Sequence, residues 1–261
     1  MKKAIFFDID GTLMDSANGV NEITSRVKKS IKLLQAEGNY IFIASGRPYA
    51  FISKELLDFG FDGFVLTNGA HVIVRDELIY DEAIDQSLVK KLIGNFEKFN
   101  IEYILQGEIY SYLKKKYSRL HSYYESFNIS RKYIKSDYNI EEINTYKIEM
   151  LCKNDEATEY CLTLENEDYE CIHNISDNVF EFYSKKNTKA SGIIKVLKHL
   201  NIPIENSYAF GDGKNDIEML ATVGCGIAMG NASQEVKGHA NKITSAVQND
   251  GIAVGIEKFI N

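Results

Sequence analysis

Two short stretches of this chain concentrate carboxylates: "FFDIDGT", with Asp8 and Asp10, and "FGDGKND", with Asp212, Asn215 and Asp216. Side chains two apart on an extended segment point the same way, so Asp8 and Asp10 present two carboxylates at one strand end. Crowded carboxylates repel unless a cation or a proton neutralises them. Asp212 and Asp216 add two more, and an all-oxygen set of this kind suits a hard cation such as Mg²⁺. A single Asp-Gly pair is an ordinary turn former. Two acidic clusters at the ends of apolar runs point instead to one shared ligand. Neither stretch has the alternating acidic positions, central glycine and closing Glu of an EF-hand loop.

The elements that must carry these residues alternate. "KAIFFDI" (3–9) is an apolar run of strand length, punctuated by Gly11. From Asn21 to Glu37, Ile23, Val27, Ile31 and Leu34 recur at helical spacing, with Gly38 where a C-cap belongs. The strand "YIFIAS", a helix over Tyr49–Phe59 and the strand "GFVLTNG" follow. Apolar strands alternating with helices predict an α/β fold, a parallel sheet covered on both faces. In such sheets ligands bind beyond the carboxyl ends of the strands, which here read Asp8 and Asp10, then Ser45, then Asp212.

After Asn68 the pattern changes. "HVIVRDELIYD" reads as a hairpin, and a lysine-, tyrosine- and glutamate-rich region follows, with the short strand-like runs "IEYIL", "YKIEMLC", "YECIHN" and "VFEFYS". The alternation then resumes with helix Ala190–Leu200, strand "SYAFG", helix Ile217–Ala221, strand "CGIAMG" and a last helix over Ile252–Ile260. The expectation is a core of residues 1–82 plus 187–261 interrupted by an α+β insert of residues 83–186.

The 261 residues, 44% hydrophobic and 26% charged, fit an ordinary globular protein. Asp8 interrupts the N-terminal apolar run too early for a signal peptide, and nothing approaches the roughly 18 apolar residues of a membrane helix. A cytoplasmic protein without membrane association is expected. Cys152, Cys161, Cys171 and Cys225 form no CxxC pair, so they are expected to be buried, reduced thiols. A net charge of −7 argues against nucleic-acid binding. Within the insert the charge is uneven: seven basic and one acidic residue over Ser111–Ser136, then thirteen acidic and two basic over Asp137–Glu181. The basic half could attract an anionic substrate or simply form solvated faces balanced by the acidic half. The glycines of "GDGKND" do not have P-loop spacing, and no GxGxxG follows the first strand.

"DIDGT" (Asp8–Thr12), "SGR" (Ser45–Arg47), Lys189 and "GDGKND" (Gly211–Asp216) resemble, in order, the four motifs of the haloacid dehalogenase superfamily. "NGA", "AMGNA" and "NDGIA" are further similar to its Cof-like phosphatase branch. The resemblance spans the chain and implies a Rossmannoid sheet with an inserted C2-type cap. It also implies a Mg²⁺-dependent phosphatase acting on a small phosphorylated metabolite, such as a sugar phosphate or a cofactor phosphate. Asp8 would be the nucleophile that forms an aspartyl-phosphate and Asp10 the general acid and base. The metal would be held by the Asp8 side chain, the Asp10 carbonyl and Asp212, supported by Asp216. Thr12, Ser45, Gly46, Lys189 and Asn215 would bind the phosphoryl group. Each of these has a plainer alternative: Ser45 or Asn215 as a helix cap, Lys189 as a solvated residue near a helix start. Arg47 stands open between substrate contact, cap contact and a surface ion pair. A phosphomutase would share every motif, and a non-catalytic phosphate-binding module is the alternative outside catalysis. A monomer or small homo-oligomer is expected.

Overall fold

A computed structural model describes residues 2–126 and 129–260. The chain divides into two compact units, one of residues 1–46, 54–81 and 188–261, the other of residues 47–53 and 82–187.

The first unit is built on an eight-stranded sheet in the order Lys242–Ile243, Cys225–Ala228, Ser207–Gly211, Ala4–Phe7, Tyr40–Ala44, Gly63–Leu66, His71–Val74, Glu77–Asp81. The first six strands pair in parallel and the last two antiparallel. The central strand, "AIFF", has no exposed residue although its side chains alternate between faces, so the sheet is covered on both sides. On one face Phe6, Phe42, Val65 and Val72 pack with Ile193, Val196 and Leu197 of helix Lys189–Leu200 and with Leu220 of helix Ile217–Thr222. Helix Ser25–Ala36 packs against strand Tyr40–Ala44 and helix Gly251–Phe259. The hairpin turns at Arg75 and Asp76, both at positive φ. The fold class expected from the apolar pattern is the one observed.

One element differs. The helix expected over Tyr49–Phe59 is a 3-10 turn, Tyr49–Phe51, and a short helix, Lys54–Asp58, because Ile52 between them is extended (φ −76°, ψ 127°).

The second unit is an α+β body. Its six-stranded sheet runs Tyr169–Asn174, Val179–Ser184, Lys147–Leu151, Glu102–Gln106, Ser111–Leu113, Ile134–Lys135. All pairings are antiparallel except the last. Helices Gln86–Lys98 and Asp155–Leu162 are capped by Asp85 and Asn154, whose side chains accept from Leu88 N and Ala157 N. Tyr117 and Tyr124 are buried, and Tyr112, Tyr123, Tyr133 and Tyr138 pack against the same core. These tyrosines serve mainly as packing surface. Several of the unit's basic side chains pair within it, Lys114 with Glu97, Lys90 with Glu141 and Lys153 with Glu102. No helix among the described residues is long and apolar enough to cross a membrane.

Phe42 is fully buried at the centre of the parallel sheet and stacks on Phe6 with ring centroids 5.1 Å apart. Phe42→Ala removes that ring and leaves a cavity, so the urea midpoint of the first unit should fall by the equivalent of about 3–5 kcal/mol.

Candidate active site

Asp8 follows the central strand. Its backbone N donates to Phe210 O at 3.0 Å, which carries the ladder one residue further and sets the carboxylate at the carboxyl edge of the sheet, 5% exposed. Lys189 opens helix Lys189–Leu200, and its place is set by a capping box: Thr188 Oγ1 accepts from Ser191 N at 3.2 Å, and Ser191 Oγ accepts from Thr188 N at 3.1 Å. Gly192, one turn on, lets this helix lie against strand Gly63–Leu66, since a Cβ there would come within 2.5 Å of Val65 Cγ1.

The helix start delivers the Lys189 ammonium between two carboxylates, donating to Asp8 Oδ1 and to Asp216 Oδ1, both at 2.6 Å. Lys189 is 1% exposed and Asp216 is fully buried. Asp216 Oδ2 accepts from the backbone N of Asp212 and of Gly213 at 2.9 Å each, so one carboxylate anchors both the lysine and the acidic loop. Asp212 is held from two other sides, by the Thr12 hydroxyl at 2.8 Å on Oδ1 and by Asn231 Nδ2 at 3.3 Å on Oδ2. Gly11 lies directly against Asp212, with φ +80° and room for no Cβ, which would meet Asp212 Oδ2 at 2.1 Å.

The electrostatics are unbalanced toward negative charge. Burial, reinforced by the charge of Asp216 and opposed by Lys189, pushes the Asp8 carboxyl up to about 8. Burial also raises Asp212 to about 6, against the hydrogen bond from Thr12. Burial works against the Lys189 ammonium, yet Asp216 and Asp8 together hold its pKa above the usual lysine value. Oxygens of Asp8, Asp212 and Asp216 lie within 4.8 Å of one another. One ammonium does not offset three carboxylates, and an all-oxygen donor set with residual negative charge fits a hard divalent cation.

A second group of polar residues adjoins this one. Ser45, 1% exposed, donates its backbone N to Val65 O at 2.8 Å and accepts from Asn68 N at 3.2 Å. Asn215 Nδ2 donates to Asn68 Oδ1 at 3.4 Å, and Gly46 lies against both amides. Asn215 does not cap a helix, because the 3-10 turn Lys214–Asp216 starts at Gly213. Lys189 is likewise not a solvated residue. Asp10, exposed, sits in the turn after Asp8, bridged to Met14. Arg47 falls in the other unit, where Nη1 donates to Phe51 O at 3.1 Å.

Two asparagines that residue type and spacing do not single out, Asn231 and Asn68, also belong to the site. Asn231 Nδ2 also donates to Gly11 O at 2.8 Å, and its Oδ1 accepts from Val247 N at 3.0 Å, which ties three segments to Asp212. Both asparagines lie in motifs that carried the resemblance, "NGA" and "AMGNA".

Without divalent cation, Lys189→Met leaves Asp8 and Asp216 buried with no counter-charge. Stability at neutral pH should drop by about 3–5 kcal/mol in urea denaturation, and Asp216→Asn in the same chain should restore part of it. No drop would mean that the lysine is not what holds the acidic residues together.

Comparison with known proteins accords with this geometry. Residues 5–256 match the family model of the haloacid dehalogenase-like hydrolases. The chain is 31% identical over 261 residues to a putative phosphatase, YkrA, of Bacillus subtilis, covering 98% of this chain and 97% of that one. It is 27% identical to the 5-amino-6-(5-phospho-D-ribitylamino)uracil phosphatase YitU of the same organism, again over 98% and 97%. The solved structure of a sugar phosphatase of haloacid dehalogenase subclass IIB superposes with a TM-score of 0.80 at 29% identity, over 99% of both chains. With a carboxylate pocket at the carboxyl edge of a parallel sheet and a family match over nearly its whole length, the chain belongs to the haloacid dehalogenase-like hydrolases.

Proposed function

We propose that this hydrolase is a Mg²⁺-dependent phosphatase that cleaves a small phosphorylated metabolite, a sugar phosphate or a cofactor phosphate, through an aspartyl-phosphate on Asp8. The observation that carries this reading is the Lys189 ammonium, hydrogen-bonded at 2.6 Å to Asp8 beside two further carboxylates. A phosphoryl group brought to that site meets a fixed cation, which phosphoryl transfer requires more than it requires covalent help. The names of the relatives, a sugar phosphatase and a ribitylaminouracil phosphatase, support a small phosphorylated substrate.

The Asp8 carboxylate attacks phosphorus and the bond to the leaving oxygen breaks, with Asp10 donating a proton to the departing alkoxide. Asp10 then takes a proton from the water that attacks the phosphoryl-aspartate, and phosphate leaves. Lys189 holds Asp8 in place and offsets charge on the phosphoryl oxygens. Ser45, Gly46 and Asn215 donate to those oxygens, and Thr12 and Asn231 orient Asp212. Asp8, the Asp10 carbonyl and Asp212 would hold the metal, with Asp216 fixing the loop that carries Asp212. When bound, the cation supplies positive charge that offsets repulsion between the nucleophile and an anionic phosphate.

Asp8→Asn should cut phosphate release from p-nitrophenyl phosphate by at least ~1000-fold with the circular dichroism spectrum unchanged. EDTA should stop turnover and added Mg²⁺ restore it. Retained activity in the variant would remove Asp8 from the chemistry, and isomerised hexose phosphate without free phosphate would make the enzyme a mutase. Gly11→Ala forces a Cβ against Asp212 at a positive φ, so kcat/KM should fall by about 100-fold while the fold persists.

A further inference from the structure

Three of the four cysteines lie in the second unit, and none takes part in the site described above. Cys152 follows strand Lys147–Leu151, and Cys161 lies in the last turn of helix Asp155–Leu162. Their sulfurs are 3.5 Å apart, with Cys161 fully buried and Cys152 4% exposed. We propose that Cys152 and Cys161 are a redox modification site, joined as an intramolecular disulfide when the protein meets hydrogen peroxide.

The backbone holds both sulfurs where they are. Cys152 N donates to Asn178 O at 3.1 Å, and Asn178 Nδ2 returns to Cys152 O at 3.3 Å, which pins the strand exit. Asn154 caps the helix that carries Cys161, accepting from Ala157 N at 2.8 Å. The segment between the cysteines is therefore a set turn and two helical turns, and the sulfurs need only close from 3.5 Å to the roughly 2 Å of an S–S bond. Cys171, the third thiol, is directed elsewhere: its Sγ donates to the backbone O of Cys161 at 3.4 Å. That contact selects Cys152 over Cys171 as the partner of Cys161.

The two thiols also differ in reactivity. The hydrogen bond between the two sulfurs draws the Cys152 thiol below its usual pKa, while the same bond and burial push Cys161 up. Cys152 is also the one with any exposure, 4% against none for Cys161, so it is the thiol that an oxidant hardly larger than water reaches first. Its sulfur attacks one peroxide oxygen, the O–O bond breaks, and the departing hydroxide leaves as water with the Cys152 proton. The Cys161 sulfur then attacks the Cys152 sulfenic acid, the S–O bond breaks, and a second water leaves with the Cys161 proton. Two thiols lose two electrons and the peroxide becomes two waters.

The test uses the full, reduced chain treated with hydrogen peroxide at neutral pH, quenched, denatured, alkylated and digested. Trypsin and a glutamyl endoprotease together cut at Lys153 and Glu165, which separates Cys152, Cys161 and Cys171 into different peptides. Alkylatable thiols should fall from four to two, with the Cys152 and Cys161 peptides cross-linked, the chain lighter by two hydrogens, and dithiothreitol reversing both. Cys171→Ala should leave the cross-link intact, and Cys161→Ala should abolish it and leave a Cys152 sulfenic acid that dimedone traps. A cross-link that includes Cys171, or oxidation to sulfinic acid with no cross-link in the unmodified chain, overturns the proposal.

Discussion

A lysine ammonium buried between two carboxylates is the interaction on which the candidate site depends. A charge that is 1% exposed survives only if it is paired, and Lys189 is paired twice, to Asp8 and Asp216. Each partner comes from a different part of the chain, the end of the first strand and the loop after strand Ser207–Gly211. Because Asp216 spends its second oxygen on the backbone of Asp212 and Gly213, the ion pair fixes the acidic loop as well as the lysine. The capping box at Thr188 and the close packing at Gly192 determine where the helix begins, and with it where the ammonium arrives.

The second unit handles buried charge differently. Glu149, in the middle of its sheet, is met by Gln106, Tyr124 and Lys147, and Lys147 is also paired to Glu181. These residues come from neighbouring strands and helix Ser118–Ser126, so the network binds the elements to one another. The opposite face of the sheet is apolar, with Tyr103, Leu105, Ile148, Met150, Phe180 and Phe182 all buried. A polar network on one face and an apolar core on the other produce strands that alternate charged and hydrophobic residues. In sequence, these strands stand out only as short runs such as "YKIEMLC" and "VFEFYS" within a lysine-, tyrosine- and glutamate-rich region.

Legibility followed the strength of the local signal. Uninterrupted apolar runs such as "AIFF" and "YIFIA" read as buried parallel strands because no other placement satisfies them. The two-residue strands Ile134–Lys135 and Lys242–Ile243 carry no such signal and exist only because a neighbour offers its edge. The break at Ile52 was also invisible, since a β-branched apolar residue suits a helix pattern as well as an extended link. Among the site residues, Asp8, Asp212 and Asp216 announced themselves by charge at strand ends. Asn231 and Asn68 did not, because an asparagine in a loop is ordinary until its partners are known.

What the sequence by itself determined is the chemistry available: two carboxylates two apart after an apolar strand, and two more after a later one. These are local facts, carried by residue type, alternation and spacing. Only the tertiary structure decided which of those groups are partners. Lys189 stands 181 residues from Asp8 and 27 from Asp216, separations across which no periodicity extends. The Asp212 loop meets Thr12 and Gly11 only because its strand pairs beside the first. Pairing of distant strands and burial of charge are properties of the closed fold, and they determine which of several acidic and basic side chains must neutralise one another.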